Sequence, residues 1–230
     1  MRAVVFGSRL SPFVEKVVRG LELKRVAYEL VEPRSPLDLR RWNPQTGKMP
    51  VVEIDGEREY DSTFIILRRL DALVPEPALL SADPAVAACQ RQLEDWADES
   101  LYWYTMAFRR SPGNAPATTR QILAGAPAVL RPVLGPLLRR SIGGATRAQG
   151  LARLPAERLL VEYERRLDDL ALLLGERPFF WSERPGLADL AVYSQLRTAL
   201  SDVTPETRDL VLARPPLTAF LTRLERAIAA

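Results

Sequence analysis

Apolar and polar positions follow two rhythms along this chain, first a strand-and-helix alternation and then an unbroken helical one. Ala3 to Phe6 is a short apolar run, the pattern of a buried strand. Ser11-Pro12 then opens a helix with a favoured cap and first-turn pair. Val14, Val17, Val18 and Leu21 recur behind it at helical spacing, and Val26 to Val31 alternates as a second strand. Strand, helix and strand of these lengths form a βαβ unit with a right-handed crossover. Val51 to Ile54 is the next β-branched run, Asp55-Gly56 is a two-residue hairpin turn, and Glu57 to Tyr60 returns antiparallel. Asp61-Ser62 supplies an N-cap and first turn for the apolar positions Phe64, Leu67, Leu70 and Leu73. Pro50 stands just before the hairpin, where it removes no central ladder bond, and an X-Pro bond there is a candidate for the cis form.

After residue 82 every rhythm is helical. Asp71 to Ala82 reads as a linker from its prolines, and Asp83-Pro84 starts a long helix running towards Arg110. That helix carries Leu93, Trp96, Leu101, Tyr102, Trp103, Tyr104 and Phe108. Pro155 to Leu174 is strongly amphipathic, and Phe179-Phe180-Trp181 is an apolar plug. A further helix opens at Gly186 to Asp189, and a last one follows Pro215-Pro216. In between, the prolines and glycines of Ser111 to Gly150 are expected to break any long helix, leaving short kinked helices over a site or a mobile lid. The expected organisation is an α/β domain over 1–75, a linker over 76–83, and an all-helical domain over 84–230.

Composition narrows the chemistry. Of 230 residues, 47% are hydrophobic, enough for a substantial core. There is no long uncharged apolar segment and no basic-then-apolar leader, so a soluble, cytoplasmic protein without a signal peptide or membrane span is expected. The net charge is +3, its basic excess almost all arginine and scattered among acids, with no basic stripe interleaved with aromatics, so nucleic acid is not an expected partner. The chain has no histidine, which removes a Ser-His-Asp triad, a Cys-His pair and histidine metal ligation. Its one cysteine, Cys89, can form neither an internal disulfide nor a CxxC pair and is expected to be a buried, inert thiol. Thiol chemistry on this chain would therefore use a thiol brought by a ligand.

The stretch Asn43 to Ser62 has the parts of a site for a small acidic peptide. An α-carboxylate suits the free N–H groups, hydroxyl and dipole of a helix starting near Ser62, an α-ammonium suits Asp61, and a second carboxylate suits Lys48 on the loop. A cis Pro50 would leave the backbone of Met49 exposed for an extended peptide to pair with as an added strand.

These residues carry a resemblance. Gly47-Lys48-Met49-Pro50-Val51 with Asp61-Ser62 resembles the glutathione-binding half of the soluble glutathione transferases. Ser11-Pro12-Phe13-Val14-Glu15-Lys16 resembles the serine-type signature of that family, especially its plant tau class. The resemblance implies a thioredoxin-like first domain followed by the all-helical domain. It implies glutathione as co-substrate, no metal, and a homodimer. It implies that Lys48, Met49, Pro50, Asp61 and Ser62 hold glutathione and that Ser11 activates it, with Ser8 a nearby alternative donor. A thiol titrates near pH 8.5 in water, and a hydroxyl donor at a helix N-terminus favours the thiolate, so Ser11 would stabilise charge and need no histidine base. Phe13, Trp103, Tyr104 and Phe108 are the candidates for a hydrophobic-substrate pocket. The transferase capping box before the penultimate helical region survives here only in Asp189, because Gly186 occupies the cap. The expected reaction is conjugation of the glutathione thiolate to a hydrophobic electrophile. Another glutathione-dependent reaction (isomerisation, peroxide reduction or dehalogenation) and a transferase-like fold used as a non-catalytic scaffold remain the alternatives.

Overall fold

The computed structural model describes residues 1–60 and 63–229. The side chains at positions 36, 63, 64, 65 and 142 are outside that description. Asp61 and Ser62, the expected cap and ligand pair, therefore lie outside the described residues.

The first domain is built on a four-stranded mixed sheet of β1 (Ala3–Phe6), β2 (Tyr28–Val31), β3 (Val51–Ile54) and β4 (Glu57–Tyr60), in the spatial order β2-β1-β3-β4. β1 runs parallel to β2, with Ala3 opposite Tyr28, and antiparallel to β3, with Phe6 opposite Val51. The hairpin forms as its turn residues dictate, with Asp55 and Gly56 both at positive φ and Ile54 opposite Glu57. β2 is shorter than the alternation suggested. Val26 lies outside it, its N–H turned back onto the carbonyl of Leu21.

Helix α1 (Pro12–Leu23) crosses from β1 to β2 and is buried on almost every side. Val14, Val17, Val18 and Leu21 are fully inaccessible beside Ala3 and Val5 of β1. Gly20 lets α3 (Thr63–Leu73) close on it, since a Cβ there would stand 2.4 Å from Leu67 Cδ2. The opposite side of α1 packs against the helical domain. One hydrophobic core therefore runs through both domains. A helix that the apolar periodicity did not reveal, α2 (Pro36–Trp42), fills the connection between β2 and β3. Asp38 accepts the backbone N–H groups of Arg34 and Ser35 at 2.9 and 2.8 Å, which caps its start.

The second domain is helical throughout. Asp83 caps α4 (Pro84–Trp96), accepting from the N–H groups of Ala85 and Val86. The long helix expected here is continuous but passes through one wider π turn, Ala97–Leu101, before α5 (Tyr102–Arg109). After α6 (Ala115–Ile122) the expectation of broken helices fails. Residues Arg131–Gln149 form a single 19-residue helix, α7, with Pro136 inside it. Pro132 sits in its first turn, where a proline costs no hydrogen bond, and Gly143 gives room for the Arg110 guanidinium, 3.3 Å from where a Cβ would stand. Then come α8 (Ala156–Leu174), α9 (Leu187–Ala199), α10 (Pro205–Leu212), again unforeseen, and α11 (Pro215–Ala229).

Central α9 is buried along its whole first ten residues and lies on α1, α4 and α11. Its entry explains the lost capping residue. A Cβ on Gly186 would stand 2.7 Å from the carbonyl oxygen of Leu79, so no serine or threonine fits where the chain crosses the interdomain segment. Asp189 takes over the cap, accepting the N–H groups of Gly186 at 2.9 Å and Phe180 at 2.8 Å. Among the described residues no helix is long and apolar enough to cross a membrane.

Candidate functional site

The C-terminal end of β1, the start of α1 and the loop entering β3 meet at one end of the sheet. The β1–α1 loop is tied to the loop before β3 by the N–H of Ser8, which donates to the Met49 sulfur at 3.3 Å. Gly7 lies between them, where a Cβ would collide with Val14 at 2.5 Å. The structure thus brings Ser11, Met49 and Pro50 into one neighbourhood, and the Met49–Pro50 peptide bond is cis. Met49 and Pro50 stand just beyond the ladder, which begins at Val51.

Ser11 occupies the N-cap of α1 in an extended conformation, φ −87° and ψ 125°. Its carbonyl accepts the first helical bond, from Glu15 N–H at 3.0 Å, but its side chain makes no capping bond. Capping alone therefore does not account for the hydroxyl. Ser8 differs: its hydroxyl donates to Glu32 at 3.2 Å and accepts from Leu10 N–H at 3.4 Å. Of the two candidate donors, Ser11 is the one whose hydroxyl is uncommitted among the described residues.

The electrostatics at this helix start are governed by Glu15. A first-turn carboxylate would cancel the positive end of the helix dipole for any incoming anion. Here it is buried and held between two guanidinium groups, Arg9 Nε and Arg19 Nε each at 2.7 Å. Burial opposes the charge on both arginines, but Glu15 together with Glu22, and Tyr193 for Arg19, outweighs it and holds both above their ordinary range.

Loop 43–50 hangs on Asn43, which is fully buried. Its amide donates to Thr46 Oγ1 at 2.9 Å and to the Lys48 carbonyl at 3.4 Å, its side-chain oxygen accepts Thr46 N–H at 3.2 Å, and its own carbonyl accepts Gly47 N–H at 2.9 Å. Asn43 positions Lys48 and Met49, a role that the pattern of the chain did not signal. Lys48 itself is exposed, and among the described residues its ammonium group has no acidic partner.

The four candidate pocket aromatics separate into two pairs. Phe13 and Trp103 are half-buried and are joined through Tyr102, whose ring centroid lies 4.9 Å from that of Phe13, tilted, and 5.1 Å from that of Trp103, edge-on. Tyr102 was the missed member of this group, readable only as the neighbour of Trp103. Tyr104 and Phe108 depart from the expectation. Each is 4% exposed and packs on the buried ring of Tyr163, at 5.7 and 5.8 Å, so they belong to the helical core. Cys89 also departs from its expectation. It is exposed, because the buried face of α4 runs through Ala87, Gln90, Leu93 and Glu94.

Comparison with known proteins agrees with this architecture, a thioredoxin-like domain followed by an all-helical one as in glutathione transferases. Residues 5–78 match the family described as glutathione S-transferase, N-terminal domain. "Failed axon connections" of Drosophila melanogaster is 27% identical over 94% of this chain and 54% of its own length. A probable glutathione S-transferase of Solanum tuberosum is 35% identical over 38% of this chain and 41% of its own length. The chain thus spans about half or less of these curated relatives. Among solved structures, a glutathione S-transferase from Methylobacterium radiotolerans, in complex with glutathione sulfonate, is 26% identical. It aligns over 100% of this chain and 93% of its own with a TM-score of 0.67.

Proposed function

We propose that this protein is a glutathione transferase that binds glutathione against Met49 and Pro50 and joins its sulfur to a hydrophobic electrophile. The observation that carries the reading is Ser11, a cap serine with an uncommitted hydroxyl at the start of α1, beside the Met49–Pro50 loop. In this reading the Ser11 hydroxyl donates to the thiolate and the α1 N-terminus lowers the thiol pKa. The sulfur forms the new C–S bond, the leaving group departs with its bonding pair, and the thiol proton passes to solvent. Lys48 takes the glycyl carboxylate of glutathione, Asp61 its α-ammonium group and Ser62 its α-carboxylate. Phe13, Tyr102 and Trp103 offer the electrophile an aromatic ledge next to Ser11, and the working unit is a homodimer in the cytoplasm. The glutathione sulfonate complex of the Methylobacterium protein supports the choice of thiol.

Calorimetric titration with glutathione tests it. Binding in the micromolar to millimolar range that is lost in Asp61→Ala is the expected result, and no binding at several millimolar would overturn it. A second reading, a transferase-like fold serving as a non-catalytic binding protein, is favoured by one observation. The curated relative that matches nearly the whole chain carries no transferase name. A glutathione-binding protein with no turnover across conjugation, isomerisation, peroxide-reduction and dehalogenation assays would decide for it.

A further inference from the structure

From residue 100 to residue 156 every charged side chain is an arginine. The scatter of arginine among acids expected for the whole chain fails in this segment, which forms α5, α6 and α7. Most of these arginines reach solvent, but Arg109, at the end of α5, does not. It is only 6% exposed. Its Nε is sealed from solvent and has no hydrogen-bond partner, and among the described residues no carboxylate lies within ion-pair distance of its guanidinium. A guanidinium does not neutralise itself by losing a proton, so a buried one needs a counter-charge. This segment of the chain supplies none.

Arg109 lines a small, half-open recess between α5, α6 and α7. Two further arginines, Arg110 and Arg139, stand on its wall with Thr118 and Thr119. Thr119 is committed, donating to the Ala115 carbonyl at 2.7 Å. Thr118 is 6% exposed, and its hydroxyl has no partner. A buried cation and a buried hydroxyl, both unsatisfied, thus share a recess bordered by more positive charge and, among the described residues, no negative charge. Unpaired buried polar groups are costly, and such a set is stable when a ligand completes it.

We propose that this recess is a binding site for a phosphate-type oxyanion, gripped by the Arg109 guanidinium and the Thr118 hydroxyl, with Arg110 and Arg139 closing its charge. A tetrahedral, doubly charged group suits three arginines better than a single carboxylate does, because guanidinium groups bind phosphate oxygens in pairs and each adds an independent charge. Burial presses the Arg109 guanidinium below its ordinary range, with Tyr102 pulling the other way, the direction that a bound anion would reverse. The test needs no glutathione.

The experiment is calorimetric titration of the full chain with inorganic phosphate, against sodium chloride at equal ionic strength and against acetate. Saturable phosphate binding is expected, weakened about tenfold or more in Arg109→Gln, the scale of a lost charge-assisted pair. Weakening of several-fold is expected in Thr118→Val and in Arg139→Gln. Both of these variants leave the Arg109 stem packed, so they read the site even where Arg109→Gln does not fold. Wild-type protein that responds no differently to phosphate and chloride overturns the proposal. So does undiminished binding in both Thr118→Val and Arg139→Gln. Acetate binding as tight as phosphate overturns the phosphate assignment.

Discussion

The ammonium group of Lys16 donates to Asp98 Oδ2 at 2.7 Å across the boundary between the two domains. Lys16 is fully inaccessible on α1, and it also bonds Glu94 one helical turn before Asp98. A buried cation between two carboxylates is an orientation device: it holds α1 against α4, and with it the helix whose N-terminus carries Ser11. Removing the charge strands two acids. Lys16→Met is expected to lose about 3–5 kcal/mol by urea denaturation, the usual cost of breaking a buried pair. Burial already pushes the Glu94 carboxyl up, with Lys16 opposing it. The loss should therefore shrink as pH falls and the Glu94 carboxyl protonates. The triple variant Lys16→Met, Glu94→Gln, Asp98→Asn should recover most of it, and an equally unstable triple variant would remove the electrostatic explanation.

Ser11 and Ser8 give opposite expectations. Ser11→Ala should leave glutathione binding within about twofold and reduce conjugation by about 10- to 100-fold, the size of a lost hydrogen bond to a charged acceptor. Ser8→Ala loses a bond to Glu32 instead and should conjugate nearly as wild type. Steady-state rates with a chromogenic aryl halide would check both. Equal rates in wild type and Ser11→Ala would transfer the role elsewhere.

Phe108 and Trp103 separate stability from substrate handling. Phe108→Ala opens a cavity against Tyr163 and should cost about 3–5 kcal/mol. Trp103→Ala, on the half-buried ledge, should change stability far less and raise KM for the electrophile while leaving KM for glutathione unchanged. Denaturation midpoints and two-substrate kinetics measure the two effects.

Asp189 predicts a pH dependence with a definite sign. Burial pushes its carboxyl up to about 7 from an ordinary value of 3.8, while the N–H bonds from Phe180 and Gly186 pull it down. Between those pH values the folded state binds more protons than the unfolded one, so this group's contribution to stability falls as pH rises from about 4 to about 7. Asp189→Asn should flatten that slope. Asp189→Ala should cost about 2–4 kcal/mol near pH 4, since two buried N–H groups lose their acceptor, and less as pH rises towards 7. Thermal unfolding across pH 4 to 8 tests both.

The sequence by itself determined the local elements and the order in which they come. Hydrophobic spacing marked α1, α8 and the hairpin, and the turn residues Asp55-Gly56 set the β3–β4 register, because each of these depends on neighbours in the chain. The same spacing could not show α2 and α10, which are short and take their stability from what they pack on. Nor could it show α7. A proline forbids a helix only when its lost bond and its bulk cannot be absorbed, and the surroundings of residue 136 decide that. The expected burial of Cys89 and the expected openness of Tyr104 and Phe108 failed for a related reason. Periodicity names the members of a helix but does not say which face meets the rest of the protein. Only the tertiary structure decided what long-range contact decides. It left the Ser11 hydroxyl uncommitted while Ser8 was tied to Glu32. It set Lys16 on two acids some eighty residues away. It closed Arg109 into a recess with no counter-charge, and it required a glycine at 186 where Leu79 passes.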